Sequence, residues 1–127
     1  MKNRQDERGA AVVEFALVVP ILLLLVLGIA EFGRAYYIQA SISQAAREGV
    51  RVMALQNSPA SAVAATQAAA QPLTLTNITV SPNTCVASGS TPAATATVTV
   101  THSFTFLSTL FGSGLTLTGQ GVMRCNG

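Results

Sequence analysis

Residues 10–30 read AAVVEFALVVPILLLLVLGIA, a run of 21 residues with one charge, Glu14, and one helix breaker, Pro20. As an α-helix such a run spans roughly 32 Å at about 1.5 Å per residue. That is the thickness of the hydrocarbon core of a bilayer, ~30 Å. A core helix in a small soluble domain has no need of so long an apolar stretch. The residues before it, MKNRQDERG, are polar and carry Lys2, Arg4 and Arg8. The run therefore predicts a membrane-spanning helix with a carboxylate near its start. The rest of the chain must then live on the far side.

The flanking charges set the expected orientation. Lys2, Arg4 and Arg8 crowd the leader, whereas Arg34 and the more distant Arg47 follow the run. The positive-inside rule puts the N-terminus in the cytoplasm and the C-terminal domain outside. The remaining charges agree. All five acids (Asp6, Glu7, Glu14, Glu31, Glu48) fall within the first 48 residues, and beyond Arg51 only Arg124 is formally charged, with His102 beside it as a part-time charge. A tail so poor in charge and rich in Thr, Ser and Ala reads as an extracytoplasmic or assembly-embedded surface. The net charge of +2 is too small to point to nucleic acid. Cys85 and Cys125 both lie beyond the apolar run, and an even count in a small exported domain favours a disulfide over two free buried thiols.

In chain order, helical periodicity persists past Ala30. Ile38, Ile42, Ala45, Gly49 and Val52 recur at helical steps along one face, with Gln39, Ser43, Gln44, Arg47, Glu48 and Arg51 on the other. Glu31–Arg34 and Glu48–Arg51 are i,i+3 pairs. Tyr36 and Tyr37 stand just past the apolar run, where rings suit a membrane boundary or simple packing. One helix from about Ala10 to about Gln56 is expected, apolar first and amphipathic later. Asn57-Ser58-Pro59 ends it, Ser58 and Pro59 open a second helix to Ala70, and Pro72 closes that one.

Three strands follow. Leu73–Ser81 slips in its alternation at Asn77, which suggests a bulge. Ala94–Phe106 alternates most clearly, with Ala96, Val98, Val100, His102, Phe104 and Phe106 on one face and threonines on the other. Leu115–Cys125 turns Leu115, Leu117, Met123 and Cys125 inward. Turns at Ser81–Pro92 and Ser108–Gly114 separate them. The expected class is α+β: a long N-terminal helix, a short second helix and a small three-stranded antiparallel sheet packed on the helix's distal half. Its parts are residues 1–9, a cytoplasmic leader; 10–30, the transmembrane helix; 31–56, its amphipathic extension; 57–72, the short helix; and 73–127, a disulfide-linked β domain.

The sharpest motif is Arg8-Gly9 with Glu14 at the fifth position after the glycine. A basic leader, a glycine before the apolar run and a carboxylate at plus five form the pattern of a class III, or prepilin, signal. The peptidase would cut between Gly9 and Ala10 on the cytoplasmic side and leave the helix in place. An ordinary secretory signal is the alternative, because Gly28-Ile29-Ala30 offers small residues before Glu31. Its apolar region would be 7–15 residues, however, and would not enclose a charge. The mature N-terminus, Ala10 or Glu31, separates the two.

RGAAVVEFALVVPILLLLVLGIAEFGRAYYIQASISQAAREGVRVMA resembles the N-terminal signature of the TadE-like family, the pseudopilins or minor pilins of the tight adherence (Flp-type IVb) pilus. Its pieces are RGAA-VEFAL, the PILLLL run, EFGRA with aromatics after it, and AAREG. The likeness covers about Arg8–Ala54 closely, and the tail LTLTGQGVMRC is similar to the family's last strand. The chain's length favours the TadE group over the much larger TadG type. The resemblance implies a pilin-like fold, processing by prepilin peptidase and single-pass insertion in a bacterial inner membrane with a periplasmic C-terminal domain. It also implies contact with other pilin subunits and the pilus assembly machinery, and a role in surface adhesion and biofilm formation.

Physical chemistry gives Glu14 its own reading. An ionised carboxylate inside the bilayer costs several kcal/mol unless it finds a partner or reaches the interface. Cleavage after Gly9 would create an ammonium at Ala10, and a neighbouring subunit's ammonium would pair with Glu14 when helices bundle. Hydration of Glu14 at the cytoplasmic headgroups is the simpler alternative. Pro20 frees one backbone carbonyl and is expected to kink the helix, which membranes tolerate.

The enzyme class fails on inventory. Residues 52–127 contain no Asp, Glu or Lys, one His and two Cys. No carboxylate dyad, metal cluster or phosphate-cradling loop can be assembled from these, and no cofactor is expected. His102 reads as a packed or capping histidine, and the Asn77-Ile78-Thr79 sequon as chance. The runner-up is an extracytoplasmic binding or coat domain, secreted or membrane-anchored, with an ordinary signal peptide.

Overall fold

The computed structural model describes residues 3–85 and 95–125. Met1, Lys2, much of the Ser81–Pro92 turn and Ala94 thus lie outside the described residues. The chain divides into two compact units, Met1–Arg34 and Ala35–Gly127.

The first unit is helical. Helix α1 runs over Asn3–Gln56, so it starts seven residues before the expected Ala10 and takes in most of the polar leader. Gln5, Asp6, Glu7 and Arg8 include no strong helix breaker, and Asp6 in the first turn complements the helix dipole. The helix continues through Pro20. None of residues 6–30 is buried. Val12, Phe15, Ile21, Leu24 and Ile29 all stand exposed, on every side of the helix. Among the described residues α1 is the one helix long and apolar enough to cross a membrane.

The second unit holds residues 35–56 of α1, helix α2 (Pro59–Ala69) and an antiparallel sheet of β1 (Asn77–Ser81), β2 (Thr95–Phe104) and β3 (Leu115–Arg124), in the order β1-β2-β3. Asn57 ends α1 in the left-handed region, φ 49°. Ser58 then caps α2, its hydroxyl accepting the Ser61 N–H at 3.3 Å, with Pro59 in the first turn. This is the predicted start. Strand β2 is central. It pairs from Asn77↔Thr101 to Ser81↔Thr97 on one side and from Thr95↔Arg124 to Phe104↔Leu115 on the other. Its alternation holds as read: Ala96, Val98, Val100 and Phe104 are buried, and His102 is half-buried opposite Leu117. Burial of each large side chain contributes about 1.5–3 kcal/mol.

Strand β1 departs from expectation. It begins at Asn77, so the slip in alternation there marks the strand's start and no bulge. Leu73–Thr76 are held by α2 instead: Gln67 donates to the Leu73 carbonyl at 3.0 Å and accepts the Leu75 N–H at 3.0 Å. A side-chain amide thus takes the backbone groups that a strand would have paired.

The face that α1 buries is also wider than predicted. Ile38, Ile42, Ala45 and Gly49 are buried as expected and Val52 is half-buried, but Ala46, Val50, Met53 and Ala54 are buried too. Two surfaces cover this half of the helix. The sheet arrives through β3, where a Cβ on Gly119 would stand 2.7 Å from the Ile42 carbonyl carbon and one on Gly121 would stand 2.5 Å from the Ala46 oxygen. Helix α2 arrives at Gly49, whose absent Cβ would collide with the Thr66 hydroxyl. Thr66 is fully buried and donates to the Ala62 carbonyl at 2.8 Å. Glycine at these positions lets backbone lie on backbone. On β3 the alternation predicts Leu115, Leu117, Met123 and Cys125 on the inward face. Leu117 is half-buried and Cys125 buried, but Leu115 and Met123 are exposed, because the helix is met by the strand's centre, at its glycines, and misses its ends.

Candidate functional site

The residues singled out by the sequence fall into two groups. Gly9, Ala10 and Glu14 lie on α1 in the first unit, all exposed. A Cβ on Gly9 would meet nothing within 4 Å. Arg8-Gly9-Ala10 is thus an open helical segment. Ala10 and Glu14 are i,i+4, and helix geometry puts them on one face with Cβ atoms about 5–6 Å apart. Among the described residues the Glu14 carboxylate has no ion-pair partner. The ion pair observed on α1 is Arg34 Nη2–Glu31 Oε2 at 3.4 Å, as the i,i+3 spacing predicts, and Glu31 is only 2 % exposed. Glu48 and Arg51, at the same spacing, are both exposed.

The second group is Cys85 and Cys125, which form a disulfide with Cα atoms 5.3 Å apart. Both residues are buried. Cys85 is further held by its N–H, which donates to the Asn57 side-chain oxygen. The bond therefore ties the chain after β1 to the end of β3 and, through Asn57, to the end of α1.

No group of three or more His, Cys, Asp or Glu among the described residues is placed to hold a metal ion. His102 sits within β2 beside the apolar face. The Asn77–Thr79 sequon forms the start of β1, and its threonine hydroxyl donates to the Thr99 carbonyl at 3.3 Å. Two features escaped the sequence reading. One is Gly119 and Gly121, whose signal is the interruption of an apolar alternation by two glycines of equal parity. The other is a set of exposed apolar side chains, Leu107, Leu110 and Phe111, in a segment read only as a turn.

A long N-terminal helix, apolar at first and then packed under a three-stranded antiparallel sheet with a short second helix, is a pilin-like α+β arrangement. Residues 9–51 match the model of the family described as TadE-like protein, and over this segment the chain is TadE-like. The matched residues take in Gly9, Ala10 and Glu14 and end within α1. The tail expected to resemble the family's last strand lies outside them. No curated protein and no solved structure matches the chain.

Proposed function

We propose that this chain is a non-enzymatic, pilin-like subunit of a tight adherence pilus. It is inserted once in the inner membrane, with its N-terminus cytoplasmic and its β domain periplasmic. The observation that carries the reading is the TadE-like match over residues 9–51 on a helix whose apolar run is exposed on all sides. Such a surface calls for lipid or other helices, and a pilin helix meets both in turn.

In this reading prepilin peptidase cuts between Gly9 and Ala10. The new ammonium at Ala10 is a charge matched to Glu14, within one chain at i,i+4 and between neighbours when helices bundle. Pairing between subunits would set their axial register, because an unpaired charge in a bundle of low polarity is strongly destabilising. Assembly then serves surface adhesion through contacts with other pilin subunits and the assembly machinery.

Intact-mass measurement of membrane fractions tests the processing step. The expected product starts at Ala10, and Gly9→Val should leave the precursor whole. A soluble product starting at Glu31 would instead establish a secreted domain with an ordinary signal peptide. Glu14→Gln tests the charge. It should insert in the membrane as well as before or slightly better, since a neutral amide costs less to bury. It should still be cleaved, yet enter pilus complexes poorly. Normal incorporation would mean that the carboxylate merely hydrates at the headgroups.

A further inference from the structure

The geometry points to a second membrane contact, made by the turn between β2 and β3: Leu107, Leu110 and Phe111 rest in the outer headgroup layer of the membrane that α1 crosses. The inference rests on the membrane reading of the apolar run and adds a lipid-facing surface to the second unit.

Placement within that unit comes first. Gln39 donates to the Thr118 carbonyl at 2.8 Å, Gly119 lies against Ile42, and Gly121 against Ala46. Residue numbers rise together on both elements, so β3 runs along α1 in the same direction. The start of β3, Leu115, is paired with Phe104. The turn between them therefore lies at the end of the unit where α1 enters it, at Ala35. Tyr36 and Tyr37, both exposed, are at that same end. Ala30, the last residue of the apolar run, is five residues before Ala35 in the chain, a tether of at most about 18 Å in any conformation.

The chemistry of the turn fits a bilayer surface. Leu107 is 79 % exposed and Leu110 65 %, while Phe111 is held within 6.2 Å of Phe106, which packs on the core. The segment Ser103–Met123 contains no Asp, Glu, Lys or Arg. A short 3-10 helix, Thr109–Phe111, presents Leu110 and Phe111, and Leu107 precedes it. A water-facing turn gains nothing from leucines at its tip. At the headgroup boundary they bury apolar surface, and tyrosines are favoured beside them. In the membrane reading, lipid is reached by the same chain a few residues earlier, which makes it the occupant nearest to hand.

Tryptophan reports on this directly, because the chain contains none. The full chain would be reconstituted in vesicles of phosphatidylethanolamine and phosphatidylglycerol whose acyl chains are brominated near the headgroup end. Leu110→Trp and, as a second position, Leu107→Trp should lose most of their emission to these lipids and resist aqueous iodide. Val63→Trp, on α2 beside the Thr66 that meets Gly49, should show the reverse. Leu22→Trp, within the apolar run, should be quenched by lipid brominated toward the chain ends. Leu22 quenched with Leu107 and Leu110 open to iodide would overturn the proposal and leave the membrane span standing. Leu107 and Leu110 shielded from both quenchers would assign the turn to contact with another protein copy, and also overturn it. Leu22 unquenched by lipid would remove the span itself and this inference with it.

Discussion

Helix α1 is one element with two kinds of surface. Over residues 10–30 its side chains are large and aliphatic and none is buried. Over residues 35–56 the inward stripe interleaves small residues, Ala45, Ala46, Gly49 and Ala54, with Ile38, Ile42, Val50 and Met53, and it is covered by β3 and α2. The first half thus carries bulk without a partner in its own chain, and the second gives up bulk to bring partners to the backbone. Apolar character alone does not tell a membrane helix from a core helix. The size of the side chains on the buried stripe does, because close packing in a small domain needs room as much as greasiness.

Mutations that act on one region and spare the other would break or sharpen this contrast. The largest effect is expected from Cys85→Ser with Cys125→Ser. Opening a loop with a separation of 40 residues should lower the unfolding free energy of the second unit by about 4 kcal/mol on the chain-entropy account. Denaturant unfolding of the full chain in detergent reads the loss, and the amount of protein in the membrane fraction should stay the same. Leu22→Arg should do the opposite. An arginine in mid-span costs about 3 kcal/mol of insertion, so the chain should leave the membrane fraction while its denaturation midpoint holds. Gly119→Ala is the smallest and the most local. Its methyl group meets the α1 backbone at Ile42, and forcing it in should cost about 2 kcal/mol in the same denaturation experiment, with insertion untouched. If any of the three moved both readouts together, the two regions would not be separable in this way.

Much of this was legible because single periods carry it. The apolar run, the Ser58-Pro59 helix start and the alternation of β2 each depend on residues adjacent in sequence, and each appears where local rules put it. What was missed depends on contacts between distant segments. Leu73–Thr76 have strand composition, but the Gln67 amide on α2 holds their backbone. Leu115 and Met123 have the right parity to face inward, but the helix meets β3 at Gly119 and Gly121. The candidate site divides the same way. Arg8, Gly9, Ala10 and Glu14 are readable as spacing on one helix, since 3.6 residues per turn fixes which of them share a face. Which group faces Glu14 is not a matter of spacing within one helix, and the sequence contains nothing of it.

The link from Asn57 through Cys85 to Cys125 has a mechanical meaning. A pull applied between α1 and Cys125 travels from the helix end along 28 residues to Cys85 and then crosses the covalent bond, bypassing the 40 residues of separation that include β2 and β3. At roughly 3.5 Å per residue the stretch that can pay out is about 100 Å, against about 240 Å for the 68 residues of an unbridged chain. The bridge shortens the extension of a loaded chain by more than half. It also leaves the sheet's central and last strands outside the line of force.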